Sequence, residues 1–173
     1  MSFADHIRRL PKPYDAERGR EAADLLGLSG DMRDLISGTA GSSPFLEGLV
    51  HREADWLRDV ISSDPGTSFD ALLSEVSGFQ DDNLGVDLRR SKGRVALLIA
   101  LADLGGLWSL EQVTNALTSF ADAAVDRSLK AAVSVEIRRG KLPWKTADDL
   151  EYAAGLAVIA MGKMGAGELN YSS

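Results

Sequence analysis

Between Leu84 and Leu104 lies a stretch that opens charged, DLRRSKGR, and closes almost wholly apolar, VALLIALADL. A helix that is apolar on most sides cannot rest on a surface; it has to be enclosed by other helices. Gly105-Gly106 ends the stretch, and Ser109 with Gln112 (SLEQ) forms a capping box that opens a second helix. That helix runs for about thirty residues, to Arg138 or Arg139, and Val113, Leu117, Phe120, Ala121, Ala124, Leu129, Ala132 and Val133 trace one stripe along it. Arg138, Arg139 and Lys141 gather at its C-terminal end, where cations suit the helix dipole. Two long helices in tandem, the first demanding burial, point to a helical bundle.

The upstream sequence supplies the enclosing helices. YDAERGREAADLLGL carries a weak apolar face (Ala16, Ala22, Ala23, Leu25, Leu26) with Gly27 as a stop. A short helix, DMRDLIS, is expected before a loop GTAGSS. Ser43 suits an N-cap and Pro44 the first helical position. Leu46, Leu49, Val50, Leu57, Val60 and Ile61 then follow at helical spacing until Ser62-Ser63-Asp64-Pro65-Gly66. Thr67 with Asp70 resembles a capping box for FDALLSEVSGF.

Composition narrows the classes. The 173 residues fit about one domain of ~100–200 residues. With 0 cysteines, disulfide frameworks, thiol catalysis and Cys-based zinc sites are out. The net charge of −7, from 19 Lys+Arg against 26 Asp+Glu, opposes general binding to nucleic-acid backbones. No apolar run approaches the ~20 residues of a bilayer span, and MSFADHIRRL lacks the apolar core of a signal peptide. A cytoplasmic protein with neither membrane nor nucleic-acid partners is expected.

The last nineteen residues depart from helical spacing. GLAVIAMG is a compact apolar run bounded by glycines, which reads as a fully buried strand, although periodicity alone leaves a short helix open. A lone strand has unpaired backbone groups, and nothing upstream is an obvious partner. The expectation is a chain cut inside a larger α/β unit, with residues 1–154 a helical region and 155–173 the start of a second domain. An unpaired strand also leaves self-association open.

Chemistry-bearing residues are few. His6 and His51 lie far apart without ligand-spaced neighbours, which favours solvated or capping roles, and no GxSxG elbow supports a triad. Asp81-Asp82-Asn83 matches a calcium loop for three letters only and reads as a helix N-terminal cap. Arg89, Arg90, Lys92 and Arg94 form a dense basic cluster, either a solvated helix face or a contact for phosphate or an acidic surface. GKMGAGELNYSS is neither a Walker A loop nor GxGxxG, since its glycines fall as GxxGxG. Glycines there suit close backbone approach to a phosphate, and equally an ordinary turn.

GLAVIAMGKMGAGELNYSS resembles the motif of glutamine synthetase adenylyltransferases, in which a strand ending in GMGKxGGxELN leads into Ser-Ser-Asp-hydrophobic-Asp. The match runs through Gly162, Lys163, Gly165, Gly167, Glu168, Leu169, Asn170, Ser172 and Ser173, with Ala166 replacing a frequent glycine. A second stretch, LRRSKGRVALLIALADLGGLWSLEQVTNALTSFADAAV, resembles the family's LRR-x-K-x-R, Asp-Leu-x-Gly and LxxLAD pattern. Phe120 stands for a Leu there, Ser91 for a frequent aromatic, and Gly93 is unusual inside a helix.

The resemblance implies a bifunctional enzyme with two polymerase-β-like nucleotidyltransferase domains. One removes AMP from a tyrosine of glutamine synthetase by phosphorolysis; the other attaches it from ATP. It implies Mg²⁺, ATP, ADP and phosphate as cofactors and substrates, with glutamine synthetase and the PII signal protein as partners. Gly162, Lys163, Gly165, Ser172 and Ser173 would bind phosphate. The metal-binding carboxylates are expected beyond Ser173, so this chain alone is expected to be inactive. The modified tyrosine belongs to the partner, which leaves Tyr14, Tyr152 and Tyr171 without an assigned role. The competing expectation is a stand-alone helical module that docks a partner through Arg89–Arg94.

Overall fold

The computed structural model of the chain describes residues 3–171. Among these residues every regular element is helical and no strand is present. After a 3-10 turn at Phe3–His6 come α1 (Ala16–Leu26), α2 (Gly30–Ser42), α3 (Pro44–Arg52), α4 (Ala54–Val60), α5 (Pro65–Gly78), α6 (Leu84–Leu104) and α7 (Leu110–Arg138). A 3-10 stretch, Ala147–Gly155, and a single helical turn, Gly162–Gly165, complete the chain.

α6 is the axis of the bundle. Val95 and every residue from Leu97 to Ala102 are buried, around the whole circumference of the helix. α2, α3, α5 and α7 surround it. Gly93 explains itself here: a Cβ at that position would stand 3.1 Å from Leu49 Cδ2, so its absence lets α3 approach. The local helix cost of about 1 kcal/mol for a glycine is set against that contact. The capping box at Ser109 forms as the spacing predicts, with Gln112 N–H donating to Ser109 Oγ and Ser109 N–H to Gln112 Oε1. Along α7, Val113, Phe120 and Val133 of the expected stripe are buried, whereas Ala132 is exposed.

Three local expectations are corrected. GTAGS is not a loop but the second half of α2, with Gly38, Thr39, Ala40 and Gly41 buried. Its glycines are required by neighbours rather than by turns. A Cβ on Gly38 would lie 1.9 Å from Pro11 O, and one on Gly41 would lie 2.5 Å from Asp15 O. Arg18 donates to the carbonyls of Ala40 and Gly41, satisfying helix-end acceptors that would otherwise lack partners. The continuous helix expected from Pro44 to Ile61 breaks at Glu53 (φ −111°, ψ 23°), whose carboxylate accepts from Arg94 Nε at 2.7 Å. Thr67 is not a cap. Asp64 caps α5, accepting from Thr67 N–H, and Pro65 takes the first helical position.

The Asp81-Asp82-Asn83 segment is likewise more than a cap. Asn83 occupies the N-cap of α6 without a side-chain capping bond, while Asp81 turns toward α7. Arg127 donates to Asp81 Oδ1 at 2.6 Å and also to the Phe79 carbonyl, and Arg138 lies 3.4 Å from Asp81 Oδ2. The Arg127 hydrogen bond, aided by Arg138, holds the Asp81 carboxyl below its ordinary value of 3.8. This clasp ties the α5–α6 connection to the middle of α7.

This packing makes three predictions. Gly38→Ala drives a methyl into the Pro11 carbonyl and should lower the urea midpoint by the equivalent of at least ~1–3 kcal/mol. Gly78→Ala, at an exposed helical position with open space around it, should raise stability by about 0.4–1 kcal/mol. Asp81→Asn should cost about 1 kcal/mol or less at neutral pH, because the pair is only partly buried. A carboxyl with a lowered folded-state pKa stabilises fully above its ordinary value, and the gain disappears as pH falls through the lowered one. Thermal melts should therefore show a constant gap between wild type and Asp81→Asn at neutral pH that closes below pH 3.8.

Candidate functional site

Beyond α7 the chain reverses at Gly140 (φ +69°), and the Ala147–Gly155 stretch returns along α7. It ends in three consecutive left-handed residues, Ala153 (φ 45°), Ala154 (φ 55°) and Gly155 (φ 89°). Left-handed alanines are costly, and Ala153 is held there by burial.

From Leu156 to Met161 the backbone is extended at both ends, yet no ladder forms among the described residues. Leu156, Val158, Ile159 and Met161 are exposed, at 56–85% of their surface. The expected fully buried strand is thus corrected to an exposed segment without regular secondary structure. The described residues contain no second strand to pair with it and no layer to cover its side chains.

The glycine segment follows as one helical turn. Gly162 (φ +61°) and Gly167 (φ +73°) take left-handed backbone, and a Cβ on Gly165 would stand 2.5 Å from Ala160 O. Ala166 N–H donates to Gly162 O, Gly167 N–H to Met164 O, and Glu168 N–H to Lys163 O at 2.7 Å. The N–H groups of Gly162, Lys163 and Met164 are first-turn donors without an intrahelical acceptor. Gly162, Lys163 and Gly165 are all exposed. The result is an exposed surface turn poor in side chains, with first-turn N–H groups and one cation, Lys163, beside them. Ser172 and Ser173 lie outside the described residues.

The chain then crosses the bundle. Leu169 N–H donates to Thr118 Oγ1 at 3.4 Å, and the Tyr171 hydroxyl donates to Asp103 Oδ2 at 3.4 Å. Burial and the Asp103 carboxylate push the Tyr171 hydroxyl well above its ordinary pKa. Leu169–Tyr171 form one wall of a groove of about 760 Å³, whose other walls are α6, α7 and the start of α3. Its lining is mainly apolar, with Lys92 and Asp103 as its charged side chains.

The basic cluster is divided by the fold. Lys92 shares the groove with the end of the glycine segment, and Arg89 and Arg90 are exposed. Arg94 turns inward, paired with Glu53 and placed 5.2 Å from the centre of the Trp56 ring, so its role is structural. His51 pairs with Glu47 one turn away at 3.1 Å. Among the described residues no group of three or more His, Asp or Glu side chains is placed to hold a metal ion. Sequence reasoning passed over Thr118 and gave Asp103 only a place in a turn motif. A threonine inside a helix carries no signal of its own until the chain that crosses it is located.

No helix among the described residues is long and apolar enough to cross a membrane. The family model for glutamate-ammonia ligase adenylyltransferase matches residues 34–173. A Bradyrhizobium protein is 42% identical over 159 residues, covering 88% of this chain and 16% of the relative. One from Rhodopseudomonas palustris is 37% identical over 183 residues, covering 95% and 18%. One from Caulobacter vibrioides is 39% identical over 172 residues, covering 93% and 17%. Each bears the name bifunctional glutamine synthetase adenylyltransferase/adenylyl-removing enzyme. This chain therefore spans less than a fifth of the length of these relatives. No solved structure gives a significant match. With identities of this size across nearly its whole length, the chain belongs to the glutamate-ammonia ligase adenylyltransferase family.

Proposed function

We propose that this chain is the helical N-terminal part of the adenylyl-removing half of a bifunctional enzyme. That enzyme would attach AMP to, and remove it from, a tyrosine of glutamine synthetase. The observation that carries the reading is the glycine turn: Gly162, Lys163 and Gly165 sit exposed, with first-turn N–H groups and a cation, within a chain of this family. In removal, a phosphate oxygen attacks the phosphorus of the AMP–tyrosine ester. The P–O bond to tyrosine breaks, the phenolate takes up a proton, and ADP leaves. The turn's N–H groups and the Lys163 ammonium would hold the phosphate oxygens, with Ser172 and Ser173 adding hydroxyl donors.

One further part of the reading rests on the exposed segment, and two more come with the family assignment. Leu156–Met161 would be the first strand of a polymerase-β-like domain, completed by backbone beyond the described residues, and its exposed apolar side chains support this. The Mg²⁺ that stabilises charge in such reactions would be held by an Asp-x-Asp pair following Ser173. Control by a PII protein belongs to the same proposal.

The 173-residue chain, given Mg²⁺, phosphate and adenylylated glutamine synthetase, should release no ADP. The complete enzyme should release it, and Lys163→Ala in that enzyme should slow release by about 10²-fold. ADP release by the short chain at the full rate would overturn the assignment of the metal carboxylates. A stop codon directly after Ser173 would favour the alternative of a helical docking module, with Arg89, Arg90 and Lys92 as its exposed basic face.

A further inference from the structure

Thr118 on α7, Asp103 in the last turn of α6 and Tyr171 join the helices to the glycine segment. Thr118 is buried, at 8% exposure, and its hydroxyl donates to Thr114 O at 2.8 Å. Its oxygen is therefore free to accept, and it receives the Leu169 N–H. On the same helix, Asn115 Oδ1 comes 3.9 Å from where a Cβ of Gly167 would lie, so the chain runs close over α7. Two residues past Leu169, the Tyr171 hydroxyl donates to Asp103. Asp103 is itself held from the other side, with Arg9 3.8 Å from Oδ1 and donating to the Asp103 carbonyl.

Each contact to the segment is long at 3.4 Å, and neither alone would hold it. Together they differ from one contact in kind. A chain pinned at one point pivots; pinned at 169 and 171, it keeps both position and direction. Glu168 N–H donates to Lys163 O at 2.7 Å, which carries that position back into the glycine turn.

We infer that Thr118 and Asp103 form a latch that positions the Gly162–Gly165 turn for phosphate, making both of them positioning residues. The inference rests on the phosphate-binding reading of that turn. It is tested by two independent measurements.

The first is amide hydrogen exchange over residues 162–171 in the 173-residue chain. Thr118→Val and Tyr171→Phe should each speed exchange there by about threefold or more, and Thr118→Ser should restore the wild-type rate. Tyr171→Phe removes only a hydroxyl from a half-exposed side chain, so its melting temperature should stay nearly unchanged and its result remains readable if Thr118→Val folds poorly. Wild-type exchange in both variants overturns the latch.

The second is phosphorolysis by the complete enzyme. Thr118→Val and Asp103→Asn should raise KM for phosphate by about five- to tenfold while changing kcat by less than about twofold. A wild-type KM in both variants, in an active enzyme, overturns the positioning role and leaves the proposed function standing. A complete wild-type enzyme that releases no ADP overturns the proposed function, and the exchange measurement still decides the latch.

Discussion

The burial of α6 on all sides is the constraint on which the rest of the structure depends. From Leu97 to Ala102 no face of the helix is left for water, so neighbours must close around it. α2, α3, α5 and α7 do so. Burying a leucine or isoleucine contributes about 1.5–3 kcal/mol, and this short run contains Leu97, Leu98, Ile99 and Leu101 in succession. The placement of everything else, including the groove beside the glycine segment, inherits its geometry from this axis. Asp103 directly follows the apolar run at the end of α6, where it reaches both Arg9 and Tyr171.

Elements marked by local chemistry were legible. The SLEQ box, the Ser43-Pro44 start and the Gly27 stop state their geometry within a few residues, and all three appear as read. Elements decided by distant neighbours were not. GTAGS has poor helix propensity, and only the Pro11–Asp15 chain lying across it, with Arg18 on its last carbonyls, makes it helical. Glu53 interrupts a good periodic pattern because its carboxylate is drawn to Arg94, forty-one residues away. Asp81 looked like a cap and is instead the centre of a two-arginine clasp.

The candidate site divides in the same way. The glycine spacing and Lys163 were legible because backbone access to an anion needs small residues at set positions. The neighbouring apolar run, expected as a buried strand, is exposed and forms no strand among the described residues. A compact apolar run marks a segment that would gain from burial, whereas burial itself depends on covering partners that lie far away in sequence. The dense basic cluster also resolved only in three dimensions: helical rotation sends Arg94 inward to Glu53 and Trp56 while Lys92 faces the groove.

By itself the sequence determined a helical bundle around one enclosed helix, the positions of most helix ends, and a glycine turn whose spacing resembles that of an adenylyltransferase family. These are properties of short windows, set by periodicity, caps and steric demand at single residues. Only the tertiary structure decided which glycines serve close packing, which charges are buried in pairs, and which residues of α6 and α7 receive the crossing chain. Those outcomes depend on contacts between residues far apart in sequence. Thr118 and Leu169, fifty-one residues apart, carry no mark of each other until the bundle has folded.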